Sequence, residues 1–95
     1  MIGIVARLQV KPDRAEEFAA QTVALTKVVA ANEPGCVFYD LYRTDDPAAF
    51  VALELYENQA DLDAHRASAH VAEAMKTVPD MLDGDIEADI LEQVY

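Results

Sequence analysis

Two histidines, His65 and His70, lie five residues apart in ELYENQADLDAHRASAH, directly after a strand-like run that carries Glu54. Imidazole gains and loses protons near neutrality, so a histidine in a cleft is a natural acid or base. Glu54 is flanked by apolar residues in FVALELYE, and a carboxylate there is costly to desolvate unless it is paired. Two roles stay open for it: a base, or a partner of Arg7 or a tyrosine that holds strands together. His65 is the better placed of the two histidines for proton transfer, although either one could be a satisfied polar residue at a helix end. A metal pair on one helix wants i, i+4 spacing, as in H-E-x-x-H. Spacing of five turns the rings about 140° apart on a continuous helix, and Ser68 interrupts this one. No cysteine cluster adds ligands, so no metal is expected. Cys36, the only cysteine, sits in CVFYDLY, and the expectation is a buried, inert thiol.

The elements that must position these residues can be traced by periodicity. IGIVARLQV (2–10) alternates, with Ile2, Ile4, Ala6, Leu8 and Val10 on one face, and predicts a strand. Pro12 suits a first helical turn, Asp13, Glu16 and Glu17 favour its positive end, and apolar spacing of three and four carries a helix to about residue 32. Pro34-Gly35 stops it. Strands follow over about 36–44 and 49–57, joined at Asp45-Asp46-Pro47. Asn58 is suited to cap a second helix, which Ser68 restarts. DIEADILEQV alternates again as a last strand.

The order βαββαβ predicts an α+β, ferredoxin-like fold with both helical segments on one face of an antiparallel sheet. The other face should be polar if water covered it. It is not: Val37, Tyr39 and Leu41 oppose Cys36, Phe38 and Tyr42, and Val51, Leu53 and Leu55 oppose Phe50, Ala52 and Tyr56. An uncovered apolar sheet is an aggregation hazard, so a second copy of the chain is expected to cover it as a twofold homodimer.

At 95 residues the chain is one domain, burying only roughly 60–65% of its unfolded surface by itself. The formal net charge is −11, from 7 basic and 18 acidic residues, which disfavours nucleic acid and anionic membranes as partners. There is no 18-residue apolar run and no basic segment ahead of the first apolar stretch, so a cytoplasmic location is expected.

The runs VKPDRAEEF (10–18), NEPGCVFYDL (32–41) and DPAAFVALELYENQADLDAHRASAH (46–70) resemble the antibiotic biosynthesis monooxygenase (ABM) domain. That family shows V-K-P-G/D, then E-P-G-C-x-x-Y, F-x-x-x-E-x-W/Y and A-x-x-x-H-x-x-x-x-H in this order. The resemblance covers residues 2–91 and implies a dimeric α+β barrel. Its members include cofactor-free oxygenases of anthrones and quinols, haem-degrading enzymes and an isomerase of a phosphorylated signal, and the fold does not choose among them. The haem-degrading pattern has Asn, Trp and a ligating His at the positions of Ala6, His65 and Met75 here, and all three depart from it.

The resemblance implies a cofactor-independent monooxygenase of a phenolic, quinol or polyketide-type substrate, with dioxygen as the second substrate and no cofactor. Glu54 or His65 would be the base. Phe18, Leu25, Ile4, Val71 and Met75 would line the cavity, with Tyr56, His70 and Arg7 as further substrate contacts. Tyr56 stands where the family more often has Trp and is expected under the second helix with its hydroxyl at the pocket lip. Tyr39 matches the motif tyrosine and is expected in the core. An isomerase would need a cationic anchor, for which Arg7, Arg43 and Arg66 are the candidates. A non-catalytic, ligand-binding member of the fold is the third possibility.

Overall fold

The period-two pattern of the first strand is realised in its burial: Ile4, Ala6, Leu8 and Val10 are all buried, while Arg7 and Gln9 are exposed. In the computed structural model, which describes residues 1–95, this strand is β1 (Ile2–Gln9). A single 3-10 turn (Pro12–Arg14) leads into α1 (Ala15–Asn32), then β2 (Cys36–Arg43) and β3 (Ala49–Tyr56). Three short helices follow, α2 (Gln59–Arg66), α3 (Ala69–Ala74) and α4 (Val78–Met81), and β4 (Glu87–Glu92) ends the fold.

The four strands form one sheet in the order β2-β3-β1-β4, every neighbouring pair antiparallel. This is the ferredoxin-like α+β arrangement that the element order predicts. The helices cover one face. Phe18 of α1 packs on Phe50 of β3 with ring centroids 5.1 Å apart, and Leu62, Val78 and Met81 bring the later helices onto the same core.

Helix ends follow the capping residues. Asn58 Oδ1 accepts from the Asp61 amide at 2.9 Å and starts α2. Ser68 separates α2 from α3: its hydroxyl donates to the His65 carbonyl at 2.7 Å and accepts from the Val71 amide. Pro79, with no amide hydrogen, stands at the start of α4, where none is needed.

The second strand departs from simple alternation. A register irregularity between Cys36 and Phe38 takes Val37 out of step. Cys36, Tyr39 and Leu41 therefore share the helix side, and Val37, Phe38 and Tyr42 are exposed. Cys36 is half-buried rather than fully buried. On the far side, register places Val5 beside Leu53 and Gly3 beside both Leu55 and Leu91. That face is largely apolar and has no helix over it.

Candidate active site

Strand parity decides what Glu54 meets. It lies between Ala52 and Tyr56 on the helix-facing side of β3, level with Ile4 of β1 and Tyr39 of β2. His65 is in the last turn of α2, three residues after the buried Leu62, and so turns inward as well. Glu33 is the C-cap of α1. Its carbonyl accepts from the Cys36 amide at 3.0 Å, which folds Pro34-Gly35 into a tight turn leading to β2. A Cβ on Gly35 would fall 2.1 Å from the Asp61 carboxyl carbon, so glycine lets this turn press against α2. The close approach carries the Glu33 carboxylate to the Nδ1 edge of the His65 ring.

His65 Nδ1 lies 2.9 Å from Glu33 Oε1 and 3.1 Å from Oε2, while its Nε2 faces Glu54 Oε1 at 3.8 Å. The Tyr56 hydroxyl donates to that same Glu54 oxygen at 2.6 Å. From the other side, His70 Nε2 is hydrogen-bonded to Glu33 Oε2. The result is two hydrogen-bonded groups, His70–Glu33–His65 and Glu54–Tyr56, that face each other across the 3.8 Å between His65 Nε2 and Glu54. Both carboxylate side chains are only 11% exposed, and their sole charged or hydrogen-bonded side-chain partners are imidazoles and the Tyr56 hydroxyl. Neither has a lysine or arginine.

Glu33 accepting from Nδ1–H would fix the tautomer of His65 and leave Nε2 with a free electron pair, the arrangement by which a carboxylate orients a histidine base. Tyr39 meets the His65 ring edge-on at 5.4 Å and Tyr56 lies tilted at 5.2 Å, so the imidazole is also held by packing. Burial, then the hydrogen bond to Glu54, pushes the Tyr56 phenol well above its ordinary value; burial and the nearby Glu54 do the same for Tyr39. Both stay neutral, and Tyr56 is a donor rather than a base. Burial, with Glu33 and Glu54 nearby, raises the Cys36 thiol to about 11, consistent with an unreactive cysteine.

Above the helix-facing side of the sheet lies a cavity of about 270 Å³, with 15 of its 19 lining residues hydrophobic. Ile4, Phe18, Leu25, Val71 and Met75 line it as anticipated, and Glu54 and His65 supply its polar edge together with Thr22 and Arg66. Three anticipated contacts fall elsewhere. Arg7 lies on the far face of the sheet, where it pairs with Asp89 at 2.9 Å; the odd positions of β1 point away from the cavity. His70 sits beyond Glu33, in a separate shallow depression, because the break at Ser68 redirects the chain. Tyr56 is fully buried with its hydroxyl on Glu54 and is not at the pocket lip. Of the three arginines considered as anchors, Arg43 pairs with Glu16 and lies over Phe50, and only Arg66 reaches the cavity.

Glu33 is the residue that sequence reasoning missed. Its signal was present as the glutamate of E-P-G-C, but a helix-ending glutamate has no visible partner until the fold brings α2 beneath it. The geometric case against a histidine pair also changes: both rings reach one carboxylate, since the helix between them is not continuous.

The family described as antibiotic biosynthesis monooxygenase matches residues 1–77. A Mycobacterium tuberculosis protein named "Putative monooxygenase Rv0793" is 30% identical over 90 residues, covering 95% of this chain and 88% of that one. A longer Synechocystis protein of uncharacterized name is 32% identical over 82 residues, and the chain spans 55% of its length. Among solved structures, a "putative antibiotic biosynthesis monooxygenase" from Caulobacter crescentus is 33% identical with a TM-score of 0.95, over 99% of this chain and 90% of that one. One of the same description from Nitrosomonas europaea is 29% identical with a TM-score of 0.94, covering all of both chains.

Proposed function

Because the chain belongs to the antibiotic biosynthesis monooxygenase family, we propose that it is a cofactor-independent oxygenase of a small phenolic, quinol or polyketide-type aromatic compound, with His65 as the base. The observation that carries this is His65 held between two buried carboxylates at the edge of a small apolar cavity. At about 270 Å³ the cavity is at or just below the lower end of ligand pockets, which run roughly 300–1,000 Å³, and suits a compact ring system.

His65 Nε2 takes a proton from the phenol or activated methylene, and Glu33 stabilises the imidazolium through Nδ1–H. The electron-rich anion then donates to dioxygen directly, which a neutral closed-shell molecule does slowly. For an anthrone-type methylene, the carbon–oxygen bond forms as a hydroperoxide, which loses water to leave a ring carbonyl. Both methylene hydrogens and one oxygen atom leave as that water, so no external reductant is needed. The apolar wall keeps bulk water from the anion. Glu54, anchored by Tyr56, guides the substrate hydroxyl toward Nε2. A second copy of the chain covering the far sheet face completes the proposed unit.

The test is oxygen uptake with anthrone and hydroquinone substrates, without flavin, nicotinamide or added metal. His65→Gln should lower turnover by about 10²–10⁴-fold, the usual cost of losing a general base. Unchanged turnover would remove His65 from the chemistry. Arg66 in the cavity lining favours one second reading, an isomerase of a small carbonyl compound bearing an anionic group. It takes the lead if no phenolic substrate consumes oxygen and Arg66→Gln abolishes binding of such an anion.

A further inference from the structure

We infer that Glu33, His65 and His70 form a binding site for one divalent transition-series cation of the zinc type, opening to the outer surface and away from the cavity. Their donor atoms all lie within 4.8 Å of one another and come from three separate places in the chain: the end of α1, the end of α2 and the start of α3. Tetrahedral zinc with bonds of about 2.0–2.1 Å puts neighbouring donors roughly 3.3 Å apart. His65 Nδ1 already lies 2.9 and 3.1 Å from the two Glu33 oxygens, so small side-chain rotations would bring the set to that spacing.

The donor chemistry sets the class of ion. Two imidazoles and one carboxylate suit zinc and its neighbours, whereas magnesium and calcium take oxygen sets. Three protein ligands leave a fourth position, and the depression bordered by Glu33, Gly35, Asp61, Ser68 and His70 gives water and a cation access to it. The carboxylate is buried without a lysine or arginine to offset its charge, and a cation would supply that offset. The surroundings of His65 match a ligated imidazole as well. With Nδ1 on the cation, Nε2 carries the hydrogen and points at Glu54, the carboxylate–histidine–metal order found around ligating histidines.

One consequence concerns the same ring. A cation on Nδ1 leaves no free electron pair on Nε2, so an occupied site and a His65 base exclude each other. The cation would act as an inhibitor of the proposed oxygenase. This last step rests on the proposed function; the binding itself does not.

The test uses chelator-treated full-length protein, zinc chloride in calorimetry and cobalt(II) chloride by visible absorption. One ion per chain is expected, with an intense tetrahedral cobalt spectrum. His70→Ala and Glu33→Gln should each weaken zinc binding by more than about 100-fold, beyond what loss of an outer-shell partner costs. Glu73→Gln, an exposed carboxylate outside the site, should leave it within a few-fold. Long-range nitrogen NMR should show the hydrogen of His65 on Nε2 when zinc is present. The site is overturned if no saturable binding is seen at one ion per chain, or if folded His70→Ala or Glu33→Gln binds as tightly as the parent protein. The second result would assign the ion to scattered surface carboxylates of this acidic chain. If zinc binds as expected but oxygen uptake never occurs, the site stands and the oxygenase proposal falls.

Discussion

Removing one oxygen atom, as Tyr56→Phe, tests how the carboxylate of Glu54 is held. The Tyr56 ring is fully buried, so phenylalanine keeps the packing and deletes only the hydroxyl. That hydroxyl donates to Glu54 Oε1 at 2.6 Å, and the other group near this oxygen is His65 Nε2 at 3.8 Å, beyond ordinary hydrogen-bond length. A hydrogen bond to a charged partner contributes about 1.5–3 kcal/mol, and the variant leaves a buried carboxylate short of its donor. For a domain of this size 1 kcal/mol shifts the melting midpoint by about 4–8 °C, so the fall should be roughly 6–24 °C. Glu54→Gln preserves an acceptor for the hydroxyl and should cost much less.

Thermal unfolding by circular dichroism at one fixed protein concentration gives Tyr56→Phe, Glu54→Ala, which removes the acceptor altogether, and the double variant as a cycle. Coupling below about 0.5 kcal/mol, the scatter of independent sites, would refute the claim that Tyr56 anchors Glu54. Alkaline pH supplies a second readout. The folded state holds the Tyr56 proton more tightly than the unfolded chain does, so its contribution is fully present below pH 10 and fades as the pH rises further. Stability should therefore decline above pH 10, less steeply in Tyr56→Phe. Equal slopes for the two proteins would contradict the raised phenol.

Leu53→Asp places a carboxylate on the bare sheet face; sedimentation should show the parent at twice 10.4 kDa and the variant dissociated or precipitated. A parent that runs as a monomer would sink the dimer. Phe18→Ala empties the space beside Phe50 and should cost about 3–5 kcal/mol in denaturant unfolding; a loss under 1 kcal/mol would mean that the cavity wall is not part of the core. Cys36 should react with iodoacetamide slowly at pH 8 and reach half of its limiting rate near pH 11, whereas a midpoint near 9 would show an unperturbed thiol.

The fold was legible because its patterns are local. Alternation in IGIVARLQV, Pro12, Asn58 and Ser68 each specify structure within a few residues, and all act as their chemistry predicts. The bare apolar sheet face was legible too, from the absence of a polar alternate set in β3. What escaped was non-local or hinged on one residue of register. The irregularity after Cys36 moves Val37 out of step without any glycine or proline in CVFYDLY to announce it. Arg7 was an attractive partner for Glu54, yet β1 parity sends it to the opposite face. Glu33 and His65 are separated by two strands, their turn and most of α2, so no spacing rule links them.

The separation of His65 from Glu33 in sequence also explains how one ring can face two environments. Nδ1 belongs to the surface side, where the α1–β2 turn presses on α2 and His70 closes over the carboxylate. Nε2 belongs to the cavity side, where β3 supplies Glu54 from within the sheet. In the proposed reaction the Glu33 carboxylate fixes the ring for base chemistry, whereas a cation between them would reverse the tautomer and hand Nε2–H to Glu54. Since a neutral imidazole has a single hydrogen, the state of the outer nitrogen determines the state of the inner one. A solution condition felt at the surface depression can thus reach the cavity through one side chain, with no movement of the backbone.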